Sequence, residues 1–193
     1  TGVCDPRQET NASLSRLMIG AEPPPLTHVA KEPGAAVLTV NQLSLERDSP
    51  FGVDLHGVSL QVRAGEVVGI AGVSGNGQRE LLFALSGEDR RAPAASISIA
   101  GKPAGRMRPF GRRALGLHFV PEERLGRGAV PDMSLAQNLL LTRKEAVGRM
   151  GWLSMGKLRA QSADIIQRFN VKTAGTHAAA RSLSGGNLQK YIM

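Results

Sequence analysis

Side chains over Val37-Leu38-Thr39-Val40-Asn41-Gln42-Leu43-Ser44-Leu45 alternate between apolar and polar in the two-residue rhythm of a half-buried β-strand. Val58-Ser59-Leu60-Gln61-Val62 repeats the rhythm before an Ala64-Gly65 turn. Glu66-Val67-Val68-Gly69-Ile70-Ala71 is instead apolar almost throughout, which predicts a short buried strand. It runs straight into the glycine-rich Gly72-Val73-Ser74-Gly75-Asn76-Gly77-Gln78-Arg79 and then into an apolar helix over Leu81-Leu82-Phe83-Ala84-Leu85. Gly116-Leu117-His118-Phe119-Val120 predicts a further strand, ended by Pro121. The segments Ser134 to Leu141 and Ser154 to Phe169 carry helical spacing of apolar residues, with Ser134 and Ser154 as N-cap residues.

Ahead of these elements the pattern changes character. Asn11 to Ile19 predicts a short helix with Leu14, Leu17 and Met18 on one face, ended by Gly20. Glu22-Pro23-Pro24-Pro25 through Lys31-Glu32-Pro33-Gly34 is proline-rich and polar, the composition of an extended linker. The chain therefore divides into residues 1–20, a linker over 21–36, and a folded unit over 37–193.

Composition keeps this unit in the globular class, since 41% hydrophobic and 21% charged residues are ordinary usage for such proteins. No apolar run approaches the roughly 18 residues that span a bilayer, and Thr1-Gly2-Val3-Cys4-Asp5-Pro6 lacks the basic start and apolar core of a secretory signal. The lone cysteine, Cys4, cannot form an internal disulfide and fits a reducing compartment. A net charge of +8 raises a second function class, a basic nucleic-acid binder. Aromatic residues make up only 4% of the chain, however, and no stacking platform interleaves with its arginines, so a solvated basic face is the simpler account.

Two motifs carry chemistry. Gly72 and Gly77 bracket Ser74, Gly75 and Asn76 between a predicted strand and a helix, the order of a phosphate-binding loop whose N–H groups wrap an anion at a helix N-terminus. A complete loop of this kind follows its last glycine with lysine, to hold the phosphates, and then with serine or threonine, to hold magnesium. Here Gln78 and Arg79 stand in those places. Glutamine donates a hydrogen bond but carries no charge, and a charge-assisted contact is worth about 1.5–3 kcal/mol. Arg79 returns a positive charge one residue late and removes the metal-binding hydroxyl. Such a loop can hold nucleotide but is poorly built for phosphoryl transfer. The second motif is Leu183-Ser184-Gly185-Gly186-Asn187, followed by Leu188-Gln189-Lys190. Two glycines at a helix start leave phosphate-sized space beside bare N–H groups, and Ser184 adds a hydroxyl; an ordinary serine N-cap with a glycine turn is the alternative.

Leu183-Ser184-Gly185-Gly186-Asn187 resembles the signature motif of ATP-binding cassette (ABC) proteins, and the loop resembles their Walker A segment in degenerate form. Pro121-Glu122-Glu123-Arg124 lies where that family carries its Q-loop, with Glu122 at the glutamine position. The three together are similar to the second cassette of fused double-cassette bacterial importers of simple sugars and nucleosides. The resemblance implies an α/β P-loop NTPase fold, incomplete here, with an antiparallel β subdomain and an α-helical subdomain. It makes residues 1–20 the tail of a preceding cassette and 37–193 the second. It implies ATP and Mg2+, the metal mainly at a composite site shared with the first cassette. Partners would be that first cassette, transmembrane permease subunits and, indirectly, a periplasmic or lipoprotein solute-binding protein, with no nucleic acid. The location would be peripheral, at the cytoplasmic face of the bacterial inner membrane. Phe51, placed before the second strand, would stack adenine or else pack in the core. A soluble ABC protein of translation or DNA repair is the alternative within the family.

No apolar run ending in Asp-Glu occurs, so the sequence carries neither the Walker B aspartate nor the catalytic glutamate of that family, and no catalytic residue or metal site is assigned. His28, His56, His118 and His177 lie outside the position of its switch histidine. Phosphoryl transfer needs magnesium held and a water oriented. The purified 193-residue chain is therefore expected to show no ATPase activity above background. Turnover that survives further purification, yet disappears on Ser184→Ala or Gln78→Ala, would contradict this.

Overall fold

A computed structural model of the chain describes residues 4, 7, 9–19, 32–142, 148–149 and 152–193. Helix α1 (Asn11–Ile19) forms where the apolar spacing predicts it, while its Gly20 stop and most of the linker over 21–36 lie outside the described residues. Strands β1 (Ala36–Leu45), β2 (Leu55–Arg63), β3 (Ile97–Ile99) and β4 (Lys102–Pro103) form one antiparallel sheet in the order β2-β1-β3-β4. The imperfect alternation of β1 has a physical cause. Val40 pairs with Leu60 but Leu43 pairs with Val58, so β1 spends an extra residue at Asn41-Gln42, and Gln42 takes φ 47° there. The bulge returns Val40, Leu43 and Leu45 to the same buried face.

That face packs on α2 (Gln78–Ser86) through Leu81 and Ala84, with Ala92 and Ala104 completing the core. A second core joins α4 (Leu135–Thr142), α5 (Met155–Arg168) and α6 (Gly185–Ile192) through Leu135, Val171, Ala180, Leu188 and Tyr191. Tyr191 knits these helices with polar contacts too, since its hydroxyl lies 2.7 Å from Ser162 Oγ and donates to the Leu135 carbonyl at 2.9 Å. Both predicted serine caps form. Ser134 Oγ accepts from Gln137 N–H while Gln137 Oε1 accepts from Ser134 N–H, a reciprocal capping box, and Ser154 Oγ accepts from Lys157 N–H. A short hairpin, β5 (Gly148–Arg149) with β6 (Trp152–Leu153), precedes α5. Among the described residues no helix is long and apolar enough to cross a membrane.

Two strands expected from apolar runs do not form. Glu66–Ala71 takes no regular secondary structure and joins no ladder among the described residues, with Val67 96% and Ile70 51% exposed. Gly116–Val120 follows the short helix α3 (Pro109–Ala114) and likewise joins no ladder among the described residues. An apolar run becomes a strand only when a neighbour accepts its backbone hydrogen bonds. The sheet here is the antiparallel β2-β1-β3-β4 sheet, and neither run lies in it.

The sharpest packing constraint is Arg112 on α3, which is 0% exposed. Its guanidinium donates to the carbonyls of Ala84 and Leu85 (2.8 Å for the latter), Gly105 (2.9 Å) and Met107 (3.1 Å). Two of these belong to the last turn of α2, whose unpaired carbonyls and negative dipole end suit a cation. Burial lowers the guanidinium pKa from its ordinary value, so these contacts offset a desolvation cost. Gly87 must be glycine beside it, because a Cβ there would come within 2.7 Å of the Met107 carbonyl.

Removing this cation leaves several buried carbonyls unpaired, so Arg112→Met should destabilise the chain by about 3–5 kcal/mol. Arg168→Ala, which removes the exposed 3.4 Å pair with Asp164 and the stacking of its guanidinium 5.7 Å from the Phe169 ring centroid, should cost at most about 1 kcal/mol. Urea denaturation followed by circular dichroism compares the two, and equal midpoints would refute the assigned role of Arg112.

Candidate functional site

The glycine-rich loop enters α2 through Gly77, which takes φ 96° as the residue before the helix. A side chain there would be strained, and its Cβ would sit 3.1 Å from Leu55 Cδ2. Gly75 also has positive φ, at 91°, so the loop turns twice through a conformation that favours glycine. Gly72, Ser74, Gly75 and Asn76 are exposed along it. The loop is thus shaped as the spacing predicts even though the strand before it is not formed.

Gln78 and Arg79 take separate directions. The Gln78 side chain folds back over the loop, accepting from Asn76 N–H and donating to the Val73 carbonyl, both at 3.1 Å. The Arg79 guanidinium lies 5.1 Å from the Phe83 ring centroid, one turn along α2. Arg127 covers Phe83 as well, at 4.7 Å, and pairs with Glu88 and, at 3.7 Å, with Glu123. The turn carrying exposed Glu122 is thereby tied to α2 through its neighbour Glu123. Farther along, the Arg91 guanidinium holds the Asp89 carboxyl below the ordinary carboxylate range through side-chain hydrogen bonds, and its other end donates to the Glu46 carbonyl.

At the second motif, Ser184 is the N-cap of α6, but its side chain does not cap the backbone. Instead Asn187 Nδ2 donates to Ser184 Oγ at 2.9 Å, while Asn187 Oδ1 accepts from Lys172 N–H at 2.9 Å. The motif's asparagine therefore braces its serine against the loop after α5, and the first-turn N–H groups of α6 receive no side-chain cap. Leu183 closes the preceding 3-10 turn Ala180–Ser182. A Cβ on Gly185 would lie 2.8 Å from Arg124 Nη1, so this glycine admits a guanidinium from the Pro-Glu-Glu-Arg turn. Gly186 faces open space. The contacts of Arg112, Arg124 and Arg127 carry no local sequence signal, because each depends on a partner remote in the chain.

Phe51 corrects one of its two readings. It is 98% exposed at the β1–β2 turn, where Gly52 N–H bonds to the Ser49 carbonyl and holds the ring away from the core. As for the groups the fold implies, the loop's backbone suits a phosphate chain. The donor set at positions 78 and 79 does not suit magnesium, because the amide oxygen of Gln78 is neutral and already accepts from Asn76 N–H, and the guanidinium stacked on Phe83 has no oxygen.

The family described as ABC transporter matches residues 55–193. The nucleoside import ATP-binding protein NupA of Lactococcus lactis subsp. cremoris is 35% identical over 188 residues, covering 96% of this chain and 37% of that protein. The ribose import ATP-binding protein RbsA of Pseudomonas putida is 36% identical over 191 residues, covering 97% and 36%. The chain thus spans little more than a third of the length of these relatives. Among solved structures, cbiO1 from Clostridium perfringens, described as part of the transporter complex cbiONQ, aligns with a TM-score of 0.57 at 19% identity over 82% of this chain and 59% of its own, a likeness of fold.

If the missing charge and hydroxyl limit the loop, Gln78→Lys with Arg79→Ser should strengthen magnesium-dependent nucleotide binding there by roughly ten- to a hundredfold. Titration calorimetry with and without magnesium measures this, and an unchanged affinity would sink the idea.

Proposed function

This chain belongs to the ABC transporter family, and we propose that it forms the second ATP-binding cassette of a double-cassette importer ATPase. That protein couples ATP binding and hydrolysis to the uptake of a simple sugar or nucleoside. Residues 37–193 form the cassette, 1–20 end the preceding one and 21–36 join them. Its partners are that first cassette, permease subunits that hold it at the cytoplasmic face of the bacterial inner membrane and, indirectly, a solute-binding protein. Similarity to nucleoside and ribose import proteins supports this reading.

The observation that carries the proposal is the unequal state of the two motifs. The loop lacks the lysine and the hydroxyl expected at positions 78 and 79, and its own Gln78 occupies it. The signature end of α6 keeps both glycines and an uncapped first turn. Two motifs serving one nucleotide would be expected to decay together. In this family the cassettes face each other head to tail, so each nucleotide lies between one P-loop and the opposite signature. Ser184, Gly185 and Gly186 then complete the site whose P-loop belongs to the first cassette, where ATP and magnesium are held for hydrolysis. Gln78 and Arg79 face the first cassette's signature in the degenerate site, with Glu122 in place of the Q-loop glutamine and Phe51 as the adenine-stacking residue. The excess of basic residues does not favour a nucleic-acid function, because aromatic residues make up only 4% of the chain and no stacking platform interleaves with its arginines.

Gly186 separates ligand approach from folding, since a Cβ there meets nothing within 4 Å. In the assembled double-cassette protein, Gly186→Val should lower steady-state ATPase at least about tenfold by blocking phosphate approach, as loss of a transition-state contact does. Gln78→Ala should change it less than about threefold, the scale of a neutral hydrogen bond. The reverse order would mean that the motifs serve the opposite sites.

A further inference from the structure

Gln78 does more than lack a lysine's charge. Its carboxamide bonds to the loop at both ends, with Oε1 on the N–H of Asn76 and Nε2 on the carbonyl of Val73. Both partners are backbone groups of the turn that would wrap a phosphate. An amide is the side chain suited to this pair, because it offers one acceptor and one donor on the same plane. Lysine could only donate, and an ionised glutamate could only accept. The approach is close: a Cβ on Gly72 would lie 2.4 Å from Gln78 Nε2, so the glycine that begins the motif makes room for this amide. The side chain is half-buried although Val73 to Asn76 are exposed, as expected of a group lying across the loop.

We propose that Gln78 is a built-in occupant of the phosphate loop, whose carboxamide must leave before the phosphates of a nucleotide can take the Asn76 N–H. The proposal rests on reading this loop as the nucleotide loop of the degenerate site. Phosphate oxygens and Gln78 Oε1 compete for the same donor. The loop's left-handed turns at Gly75 and Gly77 are held without an anion, because the amide satisfies the Asn76 N–H that an anion would otherwise engage and ties it to the Val73 carbonyl. The degenerate site then binds nucleotide at the expense of an internal contact, which lowers its affinity independently of the lost charge.

Treating Gln78 as a phosphate ligand predicts the opposite effect of its removal, so the sign of the change decides. Gln78→Ala and Gln78→Met both abolish the amide contacts, and Met keeps the side chain's length. ATP and ADP binding to the purified chain would be measured by calorimetry without magnesium. Exchange of the Asn76 amide would be followed by NMR with no nucleotide present. Expected are an affinity about three- to tenfold higher in both variants and Asn76 exchange faster by a similar factor. Weaker binding in both would overturn the proposal and make Gln78 a ligand, leaving the loop a nucleotide site. Unchanged Asn76 exchange would overturn it whatever the affinity. Absence of ATP and ADP binding in every variant, with faster Asn76 exchange, would overturn the competition together with the nucleotide reading of this loop, and would leave the fold and family untouched.

Discussion

One guanidinium determines where α2 ends. Arg112 is buried with four backbone carbonyls and no carboxylate among the partners that define its place, and two of those carbonyls close the last turn of α2. A buried cation tolerates little displacement, since every contact it loses exposes it to desolvation without compensation. The nine residues of α2 form a rod about 13 Å long at 1.5 Å per residue. Anchoring one end and packing Leu81 and Ala84 on the sheet leaves the other end little freedom. That other end is Gly77, so the position of the glycine-rich loop follows from a contact two turns away from it.

The parts of the fold that were legible in the sequence are those written in local chemistry. Ser134 and Ser154 cap α4 and α5 through bonds to residues three positions on, and such caps need no distant partner. The glycine loop is legible for the same reason, as Gly75 and Gly77 supply backbone angles that other residues resist. Strand β1 was legible in outline, but its bulge at Gln42 depends on the register of β2 and so could not be read from one strand. The failures are non-local. Val67 and Ile70 have the composition of a buried strand, yet burial depends on neighbours, and among the described residues none pairs with them. Only the core reading of Phe51 fails, because an aromatic residue between two strands does not reveal which way the turn throws it, and the ring is 98% exposed.

The candidate site divides along the same line. Its glycines and the serine of the signature could be named from spacing, but what they touch could not. Asn187 reads as one letter of a motif, whereas the structure shows it bridging Ser184 to the backbone at Lys172. Arg127 reads as part of a basic surplus, whereas it joins Glu123, Glu88 and the face of Phe83, linking the turn of Glu122 to α2. Such contacts fix where individual arginines lie and leave the net charge of +8 unchanged, since that figure already counts every carboxylate they pair with.

The phosphate loop separates two requirements that usually travel together. Its conformation depends on glycines and on satisfied backbone groups, while its affinity for phosphate depends on charge. Replacing the lysine with glutamine removes the second requirement and preserves the first, since the carboxamide pairs with Asn76 and Val73 from within. A loop kept in shape without a ligand is useful where its surface still has to meet another one. In a head-to-tail pair of cassettes, a collapsed loop would spoil the interface even at a site that performs no chemistry. On the proposed reading a self-closed loop would maintain that surface, and a competent site opposite would rest on Ser184, Gly185 and Gly186, the first of which is braced by Asn187 above the helical core beneath α6.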